Sequence, residues 1–145
     1  MKISLIFFII MTITSIASHA SPSAKKKLPP CQDTPNCVSS QTTSKKHYVA
    51  PFKISGDPAV AWQELRKAII THDRMILTHE TETTLHAEAT SLVLRFVDDI
   101  DAIMDVGAGV IHIRSASRLG HSDFGVNRKR IEKFRIQLRK LHVLG

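Results

Sequence analysis

Twenty lysines and arginines against 13 acids give this 145-residue chain a formal charge of +7. That length holds one ordinary domain with a single core and excludes two. The positive excess steers the chain toward anionic surfaces, but its single Trp and single Tyr stand apart from the basic run; without the aromatic platforms of a single-strand binder, no nucleic-acid partner is expected.

In chain order, residues 1–20 read as an export signal. Lys2 supplies the positive start, Ile3 to Ile16 are apolar apart from scattered Ser and Thr, and Ser18-His19-Ala20 puts small residues at the cleavage positions. Cleavage after Ala20 is expected, giving a periplasmic or secreted protein. A retained anchor is the competing reading, but the uninterrupted apolar run Leu5 to Met11 is far shorter than the roughly 20 residues a span needs. Residues 21–46, with Lys25-Lys26-Lys27 and no apolar periodicity, read as a flexible tether. Cys31 and Cys37 lie within it in a Pro-rich stretch, and an even pair in an oxidising compartment reads best as a short-loop disulfide. The alternatives are a redox pair, against which the wide spacing argues, a zinc site, which needs two more ligands from a distance, and free thiols.

The folded domain is expected over residues 47–145. Tyr48 to Ile54 form a first extended segment with Pro51 suggesting an edge. Asp57-Pro58 is a helix start, and the helix runs to about Thr71 with Trp62, Leu65 and Ile69 as its buried stripe. Strands follow at Arg74 to Thr78 and Leu85 to Ala89, with an extended pattern continuing over Leu92 to Val97 and Ile100 to Met104. A turn over Asp105 to Gly109 leads into Val110 to Arg114. The last helix carries Ile131, Phe134, Leu138 and Leu141 on one face and basic residues on the others. This order predicts an α+β domain, an antiparallel sheet of about four to five strands with two helices on one face.

The chemistry concentrates between Arg114 and Glu132, where arginines, hydroxyls, an acid and two glycines separate a strand pattern from a helix pattern. Two readings compete there. In the first, Arg95, Asp98, Asp99, Asp101 and Asp123 join the arginines in a structural ion-pair network pinning the loop to the sheet, because a guanidinium fork suits a carboxylate. In the second, Arg114, Ser115, Ser117, Arg118, Asn127 and Arg128 converge with backbone N–H groups at the helix start to hold an anion, with Asn127 as cap. A divalent cation on Asp98, Asp99, Asp101 and Asp123 lacks the EF-hand spacing and meets acids already neutralised by arginine, so no metal and no cofactor are expected. His121-Ser122-Asp123 suggests a hydrolase only by adjacency, which is not geometry. The basic faces of the last helix could rest on a membrane, but its apolar stripe is needed by the core.

Three blocks, Cys31 to Ser40 (CQDTPNCVSS), Leu94 to Asp101 (LRFVDDID) and Ile113 to Glu132 (IRSASRLGHSDFGVNRKRIE), carry a resemblance to the bacterial and plastid family catalogued as domain of unknown function number 1499. The resemblance implies a single small α+β domain and transfers no catalytic residue. The resulting expectation is a non-enzymatic envelope domain binding a small anion, an anionic lipid head group or the acidic segment of an envelope protein. A hydrolase using Asp98 or Asp99 with His121, and a purely structural assembly component, are the competing classes.

Overall fold

The computed structural model describes residues 26–145, so the export-signal reading of residues 1–20 lies outside the described residues. Six strands and two helices follow in the order β1 (Cys37–Ser39), β2 (Phe52–Lys53), α1 (Pro58–Ile70), β3 (Met75–Glu80), β4 (Thr84–Thr90), β5 (Val97–Asp105), β6 (Val110–Ser117) and α2 (Val126–Lys140). The sheet is antiparallel in the order β1-β6-β5-β4-β3, with β2 also on β6. The architecture is α+β. The count exceeds the four to five strands expected because β1 and β2 share one edge of β6 end to end: Cys37 faces Ala116, and Phe52 faces Ile111.

Helix α1 starts where the sequence places it. The Asp57 carboxylate accepts from Ala59 N at 2.8 Å and Pro58 occupies the first turn, which satisfies one free donor and presets the helical φ. Trp62, Leu65 and Ile69 of α1 join Ile131, Phe134 and Leu138 of α2 in one core, closed from below by Ala87, Ile100, Ile111 and Ile113 of the sheet. Leu141, expected in the α2 stripe, is half exposed, and Val143 and Leu144 enter the core in its place because the helix ends at Lys140.

Two further segments differ from the sequence reading. The stretch read as a tether over residues 21–46 supplies β1, and residues 26–36 lie across the helix-free face of the sheet: Lys26 Nζ donates to Thr83 Oγ1 at 3.0 Å, Leu28 N donates to Gln41 Oε1 at 2.8 Å, and Leu28 is buried. Leu92 to Val97, read as extended strand, is a loop up to Phe96; only Val97 belongs to β5. Its three consecutive apolar residues cannot all face inward on an alternating strand.

Candidate functional site

Alternation along β5 and β6 divides the charged residues between the two faces of the sheet. Ile111, Ile113 and Ser115 turn toward the helices, and Arg114 turns away from them. The expected single gathering of Arg114, Ser115, Ser117, Arg118, Asn127 and Arg128 therefore does not form.

On the helix side, Asn127 is fully buried. Its amide nitrogen donates to Asn36 O at 3.1 Å and Ser117 Oγ at 3.0 Å, and its oxygen accepts from Ser115 Oγ and from Arg130 Nη1 at 2.6 Å. Arg130 also reaches Ser115 Oγ at 2.9 Å and, through Nη2, Asp98 Oδ2 at 2.6 Å. Each of these side chains has a partner, so the cluster is a strut between β5, β6, the residues before β1 and α2. Asn127 is not the helix cap. Asp123 does that work, accepting from Gly125 N and Asn127 N, each at 2.9 Å, and it makes none of the ion pairs expected of it among the described residues.

On the helix-free side, Asp101 accepts from Arg114 Nη1 at 2.8 Å and from His86 Nδ1 at 2.6 Å. Asp99 accepts from Arg118 Nη2 at 2.7 Å and Nε at 3.0 Å, and Arg118 also donates to Glu88. These bonds, Asp99 first and Glu88 second, raise the Arg118 pKa above its already high ordinary value. His86, Glu88 and Asp99 bring ligand atoms within 4.8 Å of one another, but the Arg118 guanidinium already supplies the cation. Asp98 faces the helices, so the four aspartates weighed as metal ligands do not meet. Arg114 Nε is buried without a partner among the described residues, and Arg114 and Arg118 line a polar cavity of about 250 Å³ beneath Pro30, Gln32 and Thr34.

Arg95 stands in the loop before β5 at φ 56°, outside every ion pair among the described residues. Arg128 donates to Tyr48 O at 2.8 Å and Lys46 O at 3.0 Å. Arg135 likewise spends its fork on Ala50 O and Pro51 O and lies over the Phe52 ring at 4.9 Å. Much of the basic face of α2 is thus tied to neighbouring backbone instead of solvated. His121 is exposed, and no carboxylate or hydroxyl engages it among the described residues.

A site that sequence reasoning missed lies between the first half of α2 and the ends of β3 and β4. This cleft of about 360 Å³ is lined by Arg74, Lys129, Arg130 and Lys133, with Asp98 as its one acid. Asp98 is taken by Arg130, whereas the side chains of Arg74, Lys129 and Lys133 make no hydrogen bond or ion pair among the described residues. Lys129 and Lys133 are four apart on one helix face, a legible signal; the approach of Arg74 from the turn before β3 was not. The adjoining groove, of about 510 Å³, is apolar and lies between residues 91–96 and 117–126.

A model of a family described as protein of unknown function, DUF1499, matches residues 27–138. The chain belongs to the DUF1499 family. The match begins within the segment read as a tether, in agreement with the packing of residues 26–36 on the sheet, and it takes in both charged clusters and the cleft of this DUF1499 protein. No curated protein matches the chain.

Proposed function

We propose that this DUF1499 chain is an exported, non-enzymatic domain that binds an anionic group in the cleft lined by Arg74, Lys129 and Lys133. The observation that carries this reading is three cations facing one cleft whose single carboxylate is already paired with Arg130. Like charges held together without a counter-ion favour an anionic ligand. Export is supported by the residue pattern at the amino terminus and by the Cys31–Cys37 disulfide, a bond that persists in oxidising compartments. The absence of catalysis is supported by the carboxylates the hydrolase reading would use: Asp98 and Asp99 are both held by arginine, and His121 meets no hydroxyl or carboxylate among the described residues.

A second position for the anion is the polar cavity beside Arg114 and Arg118, favoured by the buried, unpartnered Arg114 Nε. Glu88, Asp99 and Asp101 offset those two guanidinium charges, so the α2 cleft is preferred. Titration with inorganic phosphate, followed by amide chemical shifts, separates the two. Lys129→Glu with Lys133→Glu should weaken binding at least about tenfold, each reversal contributing about 1 kcal/mol or more, while Arg114→Ala with Arg118→Ala leaves it unchanged. The opposite pattern moves the site to the second cavity, and no saturable shift in the native chain removes the reading altogether.

A further inference from the structure

The loops at residues 91–96 and 118–125 present large apolar side chains outward. Val93 is 82% and Phe124 88% exposed, and Leu92, Leu94 and Leu119 are each more than 60% exposed. Scattered apolar residues on a surface need no explanation, but a contiguous group of this kind marks a contact site.

Both loops are held in this form by hydrogen bonds. Ser91 N donates to Phe96 O at 2.8 Å and Phe96 N to Ser91 Oγ at 2.9 Å, closing the first loop at its base and leaving Leu92 to Arg95 as its tip. The second is pinned by Arg118 N on Val97 O at 3.0 Å and by Asn36 Nδ2 on Gly120 O at 2.7 Å. Ser122 Oγ and Asp123 hold the turn around Phe124, whose φ of 52° lies in the left-handed region, which a bulky side chain seldom adopts.

Cations outnumber acids around these tips. Arg95 rises from the first loop, and the cationic cleft shares Ser91, Leu92, Asp98 and Val126 with the apolar groove. Of the two acids of the groove wall, Asp98 is paired with Arg130 and Asp123 accepts from the backbone at the start of α2, whose positive dipole end it faces.

We infer that these two loops insert into the interface of an anionic phospholipid bilayer, with Arg95, Lys129, Lys133 and Arg74 against its head groups. This deepens the anion-binding reading and rests on it for the source of the anion. No helix among the described residues is long and apolar enough to cross a membrane; the outward apolar side chains sit on loop tips, the geometry of an interfacial contact. Apolar tips entering the boundary between head groups and acyl chains, with cations beside them, combine the two terms that drive such binding.

The test uses the full chain carrying Phe124→Trp, with vesicles of brominated phosphatidylglycerol or phosphatidylcholine and with inorganic phosphate as separate arms. Phosphatidylglycerol vesicles should quench the new Trp, phosphatidylcholine vesicles should do so far less, and added salt should reverse the effect. Val93→Asp should lower partitioning about tenfold without moving the melt, and Lys129→Glu should lower it about fivefold. A Trp left unquenched by phosphatidylglycerol overturns the inference, and phosphate binding that persists in that case shows the anion site standing without it. Quenching lost with Val93→Asp but indifferent to Lys129→Glu keeps the bilayer contact and removes the cationic cleft from it. Self-association abolished by Val93→Asp, with no vesicle binding, assigns the loops to a second copy of the chain and overturns the bilayer.

Discussion

Arg130 and Arg118 are both arginines bonded to a strand aspartate, and burial separates their consequences. The Arg130–Asp98 pair is enclosed, with side-chain exposures of 12% and 8%, whereas Arg118 is close to half exposed beside Asp99. Removing one member of a buried pair leaves a charge stripped of water and of its counter-ion. Arg130→Ala is therefore expected to cost about 3–5 kcal/mol in denaturant unfolding, with Arg118→Ala shifting the midpoint far less. Equal shifts would show that the helix-side cluster is no strut. At this scale the sequence displayed the residue types and not their partners. Asp98, Asp99 and Asp101 are near neighbours in the chain, but alternation sends Asp98 to Arg130 and the other two to Arg118 and Arg114.

Helix α2 shows how an element is positioned by side chains outside its own turns. Gly125, at φ 76°, offers no side-chain cap, and Asp123 supplies both missing acceptors from two residues upstream. Asp123→Ala is expected to cost about 1 kcal/mol, the ordinary worth of such a cap, seen as a melting point lower by about 4 °C; an unchanged melt would show the helix start held by Asn127 alone. The periodicity of Ile131, Phe134 and Leu138 made this helix and its buried face legible. The roles of Arg128 and Arg135 were not legible, because the carbonyls they meet, in residues 46–51, lie about 80 residues away and carry no side-chain signal.

Across the whole molecule, local stability should divide between the sheet centre and the two apolar loops. Strands β4, β5 and β6 pair along their full lengths and carry the core residues Ala87, Ile100 and Ile113, whereas residues 92–95 pack outward. Hydrogen exchange should find the amides of β5 among the slowest and those of residues 92–95 among the fastest; comparable protection in both would mean that the loops are covered in solution. The sequence by itself determined the α+β class, the Asp57 start of α1, the core stripe of α1, that of α2 as far as Leu138, and the turn joining β5 to β6, because each follows from spacing within one segment. Only the tertiary structure decided that residues 37–39 form a strand of the sheet with residues 26–36 packed across its face, that the Arg/Ser loop is divided between two faces, and that Arg74 lines the same cleft as Lys129 and Lys133. Those facts depend on which strand lies beside which and on the side to which each residue turns, relations between segments that no local pattern encodes.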